Sequence, residues 1–192
     1  MLVLAALLVM ADTVVLDNAY VRITRDGAPC ASAATAGCGD RVIVAINDVV
    51  MRTGIVERHM KRRDIAVFQP VQSYEAPSSG EYFEVAFKPG HPPVLGPKEL
   101  IRPAKNEVLF ENARIFVFEE KLAVGDTRAR HSHSQRVVIQ LNRTRLQQWP
   151  EGEPEILRDI EPDRPGFNPS VIHTVKNVGA LPLRGIVLEL KP

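Results

Sequence analysis

Three histidines stand in two short motifs of this 192-residue chain, at a spacing that suits a metal site. His131 and His133 close the stretch GDTRARHSH that begins at Gly125, and His173 begins the stretch HTVKN that ends at Asn177. Side chains two positions apart in a β-strand leave the same face, so both histidines of the first motif point the same way. If His173 joins them, three imidazoles can hold one divalent metal ion.

Three neutral imidazoles leave a divalent ion with its full double charge. Such an ion can acidify a bound water or recruit a carboxylate, enolate or thiolate directly. The ligand type suits zinc, iron, nickel, copper or manganese and does not choose among them. The alternative is a vestigial site, in which the histidines line a barrel without metal and bond to one another and to backbone carbonyls.

Gln135 shares strand parity with His131 and His133, which makes its amide a candidate to orient a ligand or a water at the site. The alternative for Gln135 is a position that faces solvent beyond a turn. Arg128, Arg130 and Arg136 alternate out of phase with the histidines, so the same parity predicts that they point away from the interior onto a solvated face. No catalytic residue can be named from the sequence.

The composition predicts the elements that must position these residues. The 24 basic and 23 acidic residues nearly cancel, so a basic surface for nucleic acid is not indicated. Fifteen prolines and twelve glycines separate short apolar runs, which favours many short strands and turns over long helices. Runs rich in β-branched and aromatic residues at 114–118, 136–141 and 183–190 are predicted strands. Unpaired edges of such strands suggest a homodimer.

Residues 1–11, MLVLAALLVMA, are apolar and uncharged, which is typical of an export signal, with a buried first strand as the alternative. Export would place the protein in the periplasm or outside the cell, and otherwise it is expected in the cytoplasm. This segment is shorter than the ~20 residues needed to span a membrane, and no later segment approaches that length, so no membrane span is predicted. In an oxidising compartment Cys30 and Cys38 would form a disulfide, whereas elsewhere they would be free thiols.

Four sequence blocks recur in the same order in the two halves of the chain, which predicts an internal repeat. The paired blocks are 14–20 with 108–114, 41–47 with 136–142, 63–65 with 158–160, and 84–89 with 187–192. A stretch rich in glycine and proline separates the halves and is interpreted as a linker over 90–105. The expected domains are therefore 12–89 and 106–192.

These motifs resemble those of the cupin superfamily, in which five residues separate a glycine from HxH and three residues separate a later histidine from an asparagine. Gly125 with the HxH pair and His173 with Asn177 match that pattern. The resemblance implies an all-β fold with two tandem cupin-type double-stranded β-helix barrels, or jelly rolls. It places the metal site, formed by His131, His133 and His173, in the C-terminal barrel.

The same resemblance implies that the N-terminal barrel is degenerate and holds no metal. Ala36 and Cys38 fall opposite the HxH histidines, and Gln69 falls about opposite the third histidine. In the C-terminal half, the glutamate that the family pattern places four or five residues after HxH is replaced by Val137 or Val138, so one ligand is missing.

The function implied by the resemblance is that of a metal-dependent protein acting on a small anionic molecule, as an oxygenase or isomerase. The alternative is a non-catalytic bicupin that binds a small ligand or keeps a vestigial metal site. Either way the expected partner is a small molecule.

Overall fold

The computed structural model describes residues 13–32, 38–91 and 106–191. These residues form 17 strands in four sheets and no helix, which confirms the all-β prediction. Within the described ranges no helix is long and apolar enough to cross a membrane. The candidate export signal, Ala36 and most of the interpreted linker lie outside the described residues. The chain divides between Lys88 and Pro89 into two compact units, called here the first and the second unit.

The first unit contains a five-stranded sheet in the order β1-β2-β8-β3-β6 and a three-stranded sheet in the order β5-β4-β7. Its strands are β1 (Thr13–Asp17), β2 (Val21–Arg25), β3 (Arg41–Ala45), β4 (Val49–Thr53), β5 (Val56–Met60), β6 (Ile65–Phe68), β7 (Glu75–Ser79) and β8 (Tyr82–Phe87). Every residue of the central strands β3 and β8 is buried, as expected for strands covered on both faces.

The second unit contains a five-stranded sheet in the order β15-β12-β17-β10-β9 and a four-stranded sheet in the order β11-β16-β13-β14. Its strands are β9 (Glu107–Glu111), β10 (Ile115–Leu122), β11 (Thr127–His133), β12 (Arg136–Gln140), β13 (Thr144–Pro150), β14 (Ile156–Ile160), β15 (Pro165–Asn168), β16 (Val171–Asn177) and β17 (Leu183–Leu190). The five-stranded sheets of the two units have the same strand order, with β9 in the place of β1 and β15 in the place of β6.

The two units fill their interiors differently. In the first unit, large side chains of both sheets form one cluster in which Met51 and Met60 are buried and the rings of Phe68 and Tyr74 stack with centroids 4.2 Å apart. In the second unit, Leu146, Val175 and neighbouring residues of both sheets form a smaller cluster. A further cluster in the second unit contains Phe116, Phe118, Val138 and Val187.

Two of the equivalences inferred between the halves are wrong. Residues 158–160 lie within β14, whereas residues 63–65 leave a turn and enter β6, so the third repeated block does not occupy equivalent positions. Gln69 directly follows β6, as Pro169 follows β15, so its counterpart is not His173. The physical reason is a difference in hairpin length: the β13–β14 hairpin is longer than the β4–β5 hairpin, and this shifts the matches at 63–65 and at Gln69.

Candidate metal centre

Two neighbouring strands bring the three histidines together. His131 and His133 lie at the end of β11, and His173 lies on β16, where its backbone is paired directly with His131. The register of these antiparallel strands therefore places all three side chains on one face of the four-stranded sheet. Each is almost fully buried, with exposed fractions of 1% for His131, 4% for His133 and 5% for His173.

The protonated nitrogens of His131 and His133 are fixed by their partners. Nδ1 of His131 lies 2.8 Å from the carbonyl oxygen of Ala129, and Nδ1 of His133 lies 2.5 Å from Oε1 of Glu189. Both oxygens accept, so each Nδ1 carries the proton and each Nε2 of the neutral rings carries a lone pair. The two Nε2 atoms face one another at 3.0 Å. Two lone pairs at that distance repel unless the two atoms share a proton or bind the same metal ion.

His173 completes the set. Its ring centroid lies 4.6 Å from that of His131 and 5.4 Å from that of His133. Neither of its ring nitrogens has a hydrogen-bond partner among the described residues, although both are buried. One ligand atom from each of the three residues lies within 4.8 Å of the others. Ligands about 2 Å from one ion stand at most about 4 Å apart, so the rings are slightly wider apart than a bound ion would hold them.

Burial keeps the three rings in the form that binds metals. Removal from water lowers the pKa of His131 to about 4 and that of His173 to about 2, and for His173 the other two histidines act in the same direction. Burial also lowers the pKa of His133 well below its ordinary value, and Arg136 contributes. All three imidazoles are therefore neutral near pH 7 and offer lone pairs. This donor set, with an orphaned buried ring, fits a divalent metal.

A cavity of about 420 Å³ opens beside His133 and His173, between the two sheets of the second unit. Its apolar wall includes Val138, Leu146, Ile160 and Val175. Its polar lining residues include Glu120, Arg136, Gln140 and Gln148. The lining is therefore mixed, with an apolar wall and many polar and charged side chains.

Gln135 lies between β11 and β12 and is buried, so the solvent-facing alternative for it does not hold. Its side-chain oxygen has no hydrogen-bond partner among the described residues. It is not one of the residues that line the cavity.

The orientation predicted for two of the three arginines near the motif is wrong. Arg128 and Arg136 are buried, whereas Arg130 is exposed as predicted and pairs with Glu151. A bulge in the β11–β16 pairing after Arg128 shifts the alternation, and the break between β11 and β12 resets it before Arg136. Arg128 pairs with Glu120, and Arg136 lines the cavity.

Sequence reasoning missed Glu189, the carboxylate that holds His133. The family pattern led us to look for a glutamate soon after HxH, where Val137 and Val138 stand. Glu189 lies instead on β17, where its backbone pairs with Arg136. One signal was present in the sequence: an acid at a core-facing position of the otherwise apolar strand VLEL.

The first unit has no comparable site. Among its described residues no group of three potential metal ligands comes together. Cys38 forms a disulfide with Cys30, so the bridged alternative is the one found. His59 is exposed and lies 3.0 Å from a carboxylate oxygen of Glu57, on the surface as its charged surroundings suggest.

No protein-family model and no curated protein matches this chain. Solved structures do match it in fold. A cupin 2 conserved barrel domain protein from Leptotrichia buccalis is 12% identical, with a TM-score of 0.56 and coverage of 94% of this chain and 88% of its own. AerE from Microcystis aeruginosa is 10% identical, with a TM-score of 0.53 and coverage of 94% and 97%. A putative glyoxylate-induced protein from Pseudomonas aeruginosa is 8% identical, with a TM-score of 0.56 and coverage of 94% and 78%. At these identities the likeness concerns the fold.

Proposed function

From the cupin fold that this chain shares with those structures, we propose that its second unit binds one divalent metal ion through His131, His133 and His173 and acts on a small anionic molecule. The observation that carries the proposal is the 3.0 Å approach of two Nε2 atoms, both held as lone-pair donors by partners at Nδ1. A cavity of about 420 Å³ beside the histidines gives a small molecule access to them.

The residues of the chain prepare the site. The carbonyl of Ala129 and the carboxylate of Glu189 each orient one imidazole, so the ligands lose little freedom when an ion binds. Val138 lines the cavity in the region where the resemblance leads one to expect a glutamate ligand. A site without that carboxylate favours an anionic partner. When bound, a divalent ion supplies Lewis-acid or oxygen-activating chemistry, as an isomerase or an oxygenase requires.

The proposed compartment is an oxidising one, outside the cytoplasm. The Cys30–Cys38 disulfide supports this proposal, because such bridges persist mainly in exported proteins.

Metal analysis of the purified protein tests the proposal directly. We expect one equivalent of a divalent metal per chain, after isolation or after reconstitution with zinc, iron, nickel, copper or manganese. His131→Ala and His173→Ala should lose it, because each removes one of three ligands. His59→Ala is the matched control, since His59 is exposed and its one ion pair within the described part of the chain is with Glu57.

Retention of the metal in both ligand variants would show that the ion binds elsewhere, and no uptake of any of the five metals would show that the site is vestigial. Oxygen consumption and turnover of small organic acids by the metal-loaded protein then distinguish an enzyme from a non-catalytic binding module. A loaded protein that does neither is a non-catalytic binding module.

A further inference from the structure

A buried guanidinium with a free edge lies on the wall of the cavity. Arg136 is only 9% exposed and lines the cavity together with His133 and His173. Its Nη1 donates to the carbonyl oxygens of Ser134 at 3.3 Å and Pro169 at 2.7 Å. Its Nε and Nη2 have no hydrogen-bond partner within the described part of the chain, and Arg136 forms no ion pair there. Burial lowers the pKa of Arg136, and Glu189 and Glu120 raise it from beyond ion-pair distance, but neither acid contacts its free donors. A buried cation with free donors offers a binding position for an anionic ligand.

The arginine at the equivalent position of the first unit has more of its donors paired. Arg41 begins β3 as Arg136 begins β12, and its Nη1 donates to the carbonyl oxygen of Gln69 at 2.7 Å, matching the bond of Arg136 to the residue after β15. Unlike Arg136, it also donates through Nη2 to the carbonyl of Gln72 and lies 5.9 Å from the centroid of the Tyr74 ring. Within the described residues Arg41 leaves only Nε without a partner, whereas Arg136 leaves both Nε and Nη2.

None of the acids that line the cavity forms an ion pair with Arg136. Three of them form ion pairs with arginines that do not line the cavity: Glu120 with Arg128, Asp159 with Arg145, and Glu161 with Arg143.

Two further arginines line the exposed part of the cavity, Arg158 and Arg164, and neither forms an ion pair with a described residue. Burial is the largest cause that lowers the pKa of Arg136; Glu189 and Glu120 oppose it, and Arg158 is close enough to lower the pKa further. One exposed acid, Glu153, is left without an ion pair among the described residues. The unpaired charge around the cavity is therefore positive.

We propose that Arg136, assisted by Arg158, binds the carboxylate of a small organic acid whose apolar body contacts Val138, Leu146 and Val175. A guanidinium edge with two adjacent donors matches the two oxygens of a carboxylate. The cavity volume of about 420 Å³ accommodates an acid of about the size of benzoate. This inference rests on the proposed function for the anionic character of the substrate, but the subsite itself consists of protein groups and does not need the metal.

Binding of benzoate and of its neutral isostere benzamide, measured by calorimetry on the full chain, tests the subsite. Metal-free and metal-loaded protein are both used. We expect benzoate to bind at least about tenfold more tightly than benzamide in both forms, because charge-assisted hydrogen bonds are stronger than neutral ones. Arg136→Lys should weaken benzoate binding about tenfold by removing the fork, and Arg158→Gln should weaken it a few-fold. Neither should change the affinity for benzamide.

Arg130→Gln is the matched control, because Arg130 is exposed and pairs with Glu151 outside the cavity. If Arg136→Lys fails to fold, Arg158→Gln still tests the proposal. Arg158 is exposed and forms no ion pair with a described residue, so its replacement should leave the fold intact. Equal affinities for benzoate and benzamide, no benzoate binding, or unchanged benzoate affinity in the cavity variants would overturn the proposal. Benzoate binding that survives in His131→Ala would support the subsite even if the metal proposal fails.

Discussion

His133 owes its orientation to Glu189. The carboxylate lies 2.5 Å from Nδ1 and both side chains are buried, so water does not compete for this hydrogen bond. A carboxylate behind a ligating imidazole fixes the tautomer and raises the basicity of the other ring nitrogen. This glutamate therefore serves the site through His133 rather than as a ligand of its own.

Replacing that carboxylate should weaken metal binding without removing a ligand. We expect Glu189→Gln to lower zinc affinity about tenfold or more. The amide oxygen can still accept a hydrogen bond from Nδ1–H of His133, but it carries no charge. Competition with a chromophoric chelator measures the affinity. Glu111→Gln, which removes an exposed carboxylate paired with Lys191, should leave it unchanged. Equal affinities for wild type and Glu189→Gln would mean that Glu189 does not act on the site.

Strand parity predicted some of these residues correctly and others wrongly. It correctly placed His131 and His133 on one face, because both belong to a single strand. It wrongly placed Arg136 on the outer face. The alternation of side chains was continued from β11 into β12, although the break between the two strands ends it. The pairing of Glu189 with His133 joins residues 56 apart in sequence, and no local pattern could have predicted it.

At the level of strands and turns, Gly125 and Asn177, which begin the first histidine motif and end the second, have a structural role. The backbone N–H of Gly125 donates to the carbonyl of Asn177 at 2.9 Å, and the N–H of Asn177 donates to the carbonyl of Asp126 at 3.0 Å. Gly125 has a φ of +80°, a conformation that favours glycine. The turn before β11 is thereby fastened to the end of β16, the strand that carries the third histidine.

The side chain of Asn177 is fully buried and satisfied on both sides. Its oxygen accepts from Thr144 at 2.8 Å and from the N–H of Gly179 at 3.0 Å. Its nitrogen donates to the carbonyls of Leu122 at 3.1 Å and Leu181 at 2.9 Å. Strands β10, β13 and β16 therefore meet at this one amide.

Removing that amide should destabilise the second unit. We expect Asn177→Ala to lower the free energy of unfolding by about 3 kcal/mol, since several buried polar groups would lose their partners at once. Urea unfolding followed by tryptophan fluorescence reports this, because Trp149 lies on β13 of this unit. Gln147→Ala, which removes one bond to Glu155, should cost less than about 1 kcal/mol. If Asn177→Ala also lowered the free energy of unfolding by less than about 1 kcal/mol, the Asn177 amide would not hold these strands together.

The strands themselves could be predicted where an apolar, β-branched run is bounded by turn residues. The runs at 136–141 and 183–190 correspond to β12 and β17, and the run at 114–118 corresponds to the first part of β10. The pairing of distant strands could not be predicted by local pattern, and the tripeptide match at 63–65 and 158–160 failed because it ignored the length of the intervening hairpin.

Across the whole molecule, two units with the same five-stranded sheet order differ in what their interiors contain. In the first unit, the rings of Phe68 and Tyr74 stack beside Arg41, and the Cys30–Cys38 disulfide lies in the connection between β2 and β3. In the second unit, three histidines come together, and Arg136 lines a cavity with two of them. We therefore expect the disulfide to stabilise the first unit and to leave the metal site unaffected.

The double variant Cys30→Ser/Cys38→Ser separates these two roles. Because the bridge closes a loop with a sequence separation of 8, its loss should lower the free energy of unfolding by about 2–3 kcal/mol. Hydrogen exchange followed by mass spectrometry should show faster exchange in peptides from 13–32 and 38–88. Zinc affinity should be unchanged, since all three ligands belong to the second unit. Wild-type protein treated with dithiothreitol should reproduce the variant, and an exchange change confined to residues 106–191 would contradict this assignment.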